Sequence, residues 1–119
     1  MDHLTVTSST KAPADRFAGD VWVDSIADGV NLVQFNPGAR SAWHAHSQGQ
    51  TLYVTAGRGR VQARGEGIVV IRPGEIVRTP ANEWHWHGAD HDHSMSHISV
   101  TGDGEATWGE HVTDEEYGA

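Results

Sequence analysis

His44-Ala45-His46 sets two imidazoles one residue apart. Alternate side chains of a strand share a face, so both rings can converge on one point while Trp43 and Ala45 face the other way. Gln50 has the same parity four residues further on, and with a short kink between them its amide oxygen reaches the same centre. A third imidazole must come from another strand, and His85, which follows a Pro-rich turn in Asn82-Glu83-Trp84-His85, is placed to supply it. Three imidazoles and an amide oxygen around a divalent ion leave part of an octahedron open. Such a set suits Mn²⁺, Fe²⁺, Ni²⁺ or Co²⁺, or Zn²⁺ with fewer ligands. An ion with open positions can take a small-molecule substrate.

Composition narrows the chemistry. Nine histidines occur in 119 residues, five of them between His85 and His97. His91 and His93, beside Asp90 and Asp92, read as a solvated loop that takes up metal only adventitiously. The absence of cysteine removes disulfides, thiolate zinc sites and thiol nucleophiles, so ligands must be nitrogen and oxygen. Sixteen acidic against eight basic residues, a net charge of -8, exclude nucleic acid as partner, because phosphate backbones need a cationic face. No basic leader precedes an apolar stretch, and no run approaches the roughly 20 apolar residues of a membrane helix. A cytoplasmic protein without a membrane partner is expected.

The elements that must position these groups are strands. Val21-Trp22-Val23, Val30 to Phe35, Thr51 to Thr55, Ile68 to Ile71 and Met95 to Val100 are β-type runs. They are separated by turn signals such as Asn36-Pro37-Gly38, Gly57-Arg58-Gly59 and Arg72-Pro73-Gly74. Many short strands indicate a sandwich or barrel. Residues 1–15 show no periodicity and read as an extended arm ahead of one domain, 16–119. Helical spacing is confined to the acidic tail from His111 to Tyr117, where Thr113 could cap a turn. A strand, a Pro-Gly turn, a strand and then a His occurs twice, as in a fold with two related halves. Trp43 and Trp86 alternate with the ligand positions and should pack outward, on another layer or a partner subunit. Trp84 and Trp108 are also given packing roles, and Arg58, Arg60, Glu75 and Arg78 surface ones.

Gly38, five residues, His44-x-His46, three residues, Gln50, six residues and Gly57 together resemble the first cupin motif, with Gln where Glu is usual. Gly74, five residues, Pro80, four residues and His85 resemble the second, so the motifs span about 38–57 and 74–89. Asn82 stands where a Gly is usual and Ala89 where an Asn is usual. Outside the motifs, segments such as Pro13 to Gly19, Gly49 to Gly57, Trp84 to Ala89 and Glu110 to Glu115 resemble the small single-domain bacterial cupins that include the manganese-dependent hydroxynitrile lyases.

The resemblance implies an all-β fold, the cupin double-stranded β-helix or jelly-roll barrel. It implies a metal, Mn²⁺ first, held by His44, His46, Gln50 and His85. It also implies a homodimer or homotetramer with the arm exchanged between protomers. In the resembling enzymes the residue matching His97 points into the cavity as the base; His87, two residues after His85, would touch substrate or support a ligand. The expected reaction is reversible cleavage of a cyanohydrin such as mandelonitrile to aldehyde and cyanide. Similar cupins also host dioxygenases, cyclases and binding modules without catalysis, so those readings stand beside it. Neutral Gln50 leaves the dication uncompensated and its Lewis acidity high. Thr101, where the best-matching lyases carry a longer amide, and Asn31 near the mouth are the departures bearing on substrate.

Overall fold

Short β-branched and aromatic runs broken by tight turns can hide their apolar faces only by pairing into sheets that close on each other. The computed structural model, which describes residues 1–118, has this architecture. In chain order the strands are β1 (Thr10–Lys11), β2 (Phe17–Ala18), β3 (Val21–Ala27), β4 (Val30–Phe35), β5 (Arg40–Ser41), β6 (His44–His46) and β7 (Gln50–Gly57). Then come β8 (Gly59–Ala63), β9 (Val69–Ile71), β10 (Ile76–Thr79), β11 (His85–Ala89), β12 (Met95–Val100), β13 (Ala106–Trp108) and a terminal helix α1 (Asp114–Tyr117). One sheet runs β1-β3-β4-β12-β7-β10; the other runs β13-β6-β11-β5-β2, with β8 bridging β11 and β9. All pairings are antiparallel, and the two curled sheets face each other as a jelly-roll barrel.

β12 lies in the middle of the first sheet. Met95, His97 and Ser99 point inward, while Ser96, Ile98 and Val100 face out. Register sets Met95 opposite Phe35, His97 opposite Val33 and Ser99 opposite Asn31. The barrel interior therefore changes character along one strand. Met95 and Phe35 belong to the apolar core with Val21, Val54, Val61, Ile71 and Ala89, whereas Ser99 and Asn31 line the cavity that also holds His44, His46 and Gln50. Closure at the apolar end needs Gly57. Its φ is +78°, and a Cβ there would run into the Ser94 carbonyl. Asn82, in place of the usual Gly, keeps the left-handed conformation that position demands, with φ of 63°; Asn tolerates this better than most residues.

A second core lies outside the barrel and revises two expectations. Trp43 and Trp86 do face outward, but the chain's own tail covers them: they pack with Val112, Tyr117 and Trp84. Thr113 caps α1 through a capping box with Glu116, as its spacing suggests. Tyr117 lies between the guanidiniums of Arg40 and Arg60, 4.5 and 4.7 Å from its ring centre, and donates to the Ala89 carbonyl at 2.5 Å. Arg58 and Arg60 are not free surface charges, since both bind the buried carboxylate of Asp90. In the arm, Thr10–Lys11 adds to the edge of β3, pairing with Val23 and Trp22. No local pattern announces this strand, because its partner supplies the order.

Candidate metal centre

β6 and β11 lie side by side with His44 directly opposite His85, their ring centres 4.3 Å apart. The two imidazoles are pinned in the same way. His44 Nδ1 bonds the Ala42 carbonyl and His85 Nδ1 the Glu83 carbonyl, each at 2.9 Å and each two residues back. This is the local counterpart of the repeated turn-strand-His pattern in the sequence. A carbonyl can only accept, so Nδ1 carries the proton and Nε2 of both rings presents a lone pair. His46 completes the triangle, 5.0 Å from His44 and 5.7 Å from His85.

Gln50 begins β7 after the turn Ser47-Gln48-Gly49, which supplies the kink its parity requires. Its amide nitrogen donates to Ser99 Oγ at 2.8 Å, leaving the oxygen 2.9 Å from His85 Nε2. Both of these facing atoms are acceptors. Two lone pairs at hydrogen-bond distance repel unless something positive lies between them. Among the described residues, Nε2 of His44, His46 and His87 and Nδ1 of His97 are likewise buried without a partner. Unpaired buried polar atoms cost free energy, and several converging nitrogens with an amide oxygen form the donor set of a borderline divalent ion. The residues fit a metal. Nothing in the donor set selects among Mn²⁺, Fe²⁺, Ni²⁺, Co²⁺ and Zn²⁺.

Burial keeps the imidazoles in the neutral, ligating form. It lowers His44 to about 3, helped by the neighbouring His85, and His46 to about 4 by the same two causes. Burial also lowers His85, carries His87 well below the usual histidine range, and brings His97 to about 4.

The sequence places His87 two residues beyond His85, as a group that touches substrate or supports a ligand. Because β11 runs on to Ala89, His85 and His87 share a face, and His44, His85 and His87 bring one nitrogen each within 4.8 Å of one another. His97 stands behind His87: its Nε2 lies 3.0 Å from His87 Nδ1, and Phe35 packs against both rings. The site cavity, about 200 Å³, is lined by His87 but not by His97. His97 was expected to face it directly and instead meets it through another imidazole. Asn31 and Thr101 do line it.

Trp108 was read as a packing residue, yet it lines the cavity and stacks on His44, centre to centre 4.6 Å at 23°. β13 pairs Trp108 with His44 across β6, a long-range relation that no local spacing reveals. Phe17 stands beside Trp108 at 5.5 Å and, with Val23 and Val33, forms the apolar wall. His91 and His93 lie exposed outside the barrel, as expected of a solvated loop. Asp90, Asp92 and His93 come together there. Burial raises the Asp90 carboxyl, but the His91 N–H with Arg58 and Arg60 holds it well below the usual range, and those two guanidiniums repel any cation.

Comparison with known proteins agrees with this geometry. The cupin domain family matches residues 31–101. A protein of Granulicella tundricola named (R)-mandelonitrile lyase is 44% identical over 92% of this chain and 92% of its own length. The crystal structure of a cupin-like protein from Thermotoga maritima superposes with a TM-score of 0.89 at 38% identity, covering 98% of this chain and 95% of that one. A second Thermotoga maritima structure, described as a predicted oxalate decarboxylase, shares the fold at 17% identity and a TM-score of 0.72, over 82% and 96% of the two chains. Fold, paired motifs and converging imidazoles lead to one conclusion: this chain belongs to the cupin family.

Proposed function

We propose that this cupin is a metal-dependent lyase that reversibly cleaves cyanohydrins. The observation that carries the metal half of the reading is the pair of acceptors, Gln50 Oε1 and His85 Nε2, held face to face at 2.9 Å. Similarity to a protein named (R)-mandelonitrile lyase supports the reaction. His44, His46, Gln50 and His85 would hold a divalent ion, which when bound would supply Lewis acidity and make a nearby hydroxyl more acidic.

The remaining work falls to the chain. Phe17, Val33 and Trp108 enclose the apolar part of a small substrate and displace water from it. His87 offers its unpaired Nε2 to the cavity and its Nδ1 to His97. The pair can therefore take a proton at His87 Nε2 and pass one inward to His97. The hydroxyl loses its proton to this pair and the C–C bond breaks. The electron pair leaves on cyanide, the aldehyde forms, and the stored proton returns to give hydrogen cyanide.

The test is benzaldehyde release from mandelonitrile by manganese-loaded protein at mildly acidic pH, with His97→Ala and His87→Ala as controls. Release that falls at least about 100-fold in both variants, with metal retained, is the expected result. No release from fully loaded protein sinks the cyanohydrin reading and directs attention to Thr101. Unchanged activity in His97→Ala removes the two-imidazole relay.

A further inference from the structure

We infer that Ser99 is a positioning residue for the metal centre: its hydroxyl holds the Gln50 side chain with the amide oxygen, not the amide nitrogen, toward the metal site. The inference rests on reading His44, His46, Gln50 and His85 as ligands.

A side-chain amide has two ends of nearly equal size and opposite chemistry. Only the oxygen can coordinate a cation, because the nitrogen lone pair is delocalised and its two hydrogens point outward. The lone pair of His85 Nε2 faces Gln50, so an unconstrained amide would turn its nitrogen inward, donate to that lone pair and close the site. The arrangement in the barrel is the opposite. The oxygen lies 2.9 Å from His85 Nε2, while the nitrogen donates outward to Ser99 Oγ at 2.8 Å.

Among the described residues Ser99 is the only protein partner of that nitrogen. Its place is fixed by β12, which sits between β4 and β7 and sets Ser99 opposite Asn31 and Leu52. Ser99 is buried on the same inward face as His97 and Met95. Without the hydroxyl, the metal-competent orientation leaves a buried N–H unpaired, and rotation toward His85 becomes the better choice. A neutral Gln requires such a partner more than a Glu would, since both oxygens of a carboxylate can ligate.

The measurement is the dissociation constant for Mn²⁺ alone, read from the electron-spin-resonance signal of the free aquo ion. It is made on the parent protein, Ser99→Ala, Ser99→Thr, Gln50→Ala and the Ser99→Ala/Gln50→Ala double variant. Ser99→Ala is expected to weaken binding roughly 10- to 100-fold, the range for partners that orient a metal ligand. Ser99→Thr, which keeps a hydroxyl, should restore most of it, and in the Gln50→Ala background Ser99→Ala should change nothing further. Unchanged affinity in Ser99→Ala, or an equal loss in both backgrounds, overturns the inference, the second result marking Ser99 as packing alone. A parent protein that does not bind Mn²⁺ overturns the metal centre and this inference together. The expected cycle in a protein that releases no benzaldehyde overturns only the cyanohydrin reading.

Discussion

Five imidazoles, those of His44, His46, His85, His87 and His97, are buried close enough that none can be charged without cost. Burial lowers their folded-state pKa values below the ordinary histidine value of 6.5, to about 3 for His44 and about 4 for His46 and His97. As pH falls below 6.5 the unfolded chain takes up protons that the folded chain refuses. Stability is thus complete above that pH and is lost progressively as pH falls toward about 3 to 4. Metal-stripped protein should therefore show a melting temperature that drops steadily between about pH 6.5 and pH 4, and saturating Mn²⁺ should raise it and flatten the slope. A pH-independent melting temperature for stripped protein would mean that these rings are not buried together.

At the scale of elements, β11 carries His85 and His87 and is braced from outside by the tail. Trp86, between the two histidines, packs on Tyr117, whose hydroxyl reaches the Ala89 carbonyl. Tyr117→Phe should cost about 1 kcal/mol in urea unfolding while leaving the ring stacked between its two guanidiniums. A neutral result would show that the hydroxyl is satisfied elsewhere. Several strands were legible because their pattern is local: His44-x-His46, the run from Val30 to Phe35 and the run from Met95 to Val100 all appear where the sequence puts them. β8, β10 and β13 were not legible. Gly59–Ala63 and Ile76–Thr79 are short and mix charges into the apolar alternation, and Ala106–Trp108 is ordered by pairing with β6 rather than by its own pattern. For the same reason Trp108 was missed as a wall of the site.

For the whole molecule, the outer face of the first sheet carries Ile76, Tyr53 and Ile98 in adjacent register, with exposed Val100 two residues further along β12. Such a contiguous apolar row on a chain of charge -8 suits a partner surface. We expect a homo-oligomer, seen in sedimentation velocity as a species of two or four times 12.9 kDa at micromolar concentration. A monomer under those conditions would refute it, and Tyr53→Glu should shift the distribution toward one. One consequence of the site's construction reaches beyond any single chain. The carbonyls that fix the His44 and His85 tautomers belong to the backbone of residues 42 and 83. Every amino acid offers the same carbonyl, so the side chains at these two positions can drift over evolutionary time without erasing the instruction that aims the ligands. The aim is inherited with the strand path rather than with the residue names.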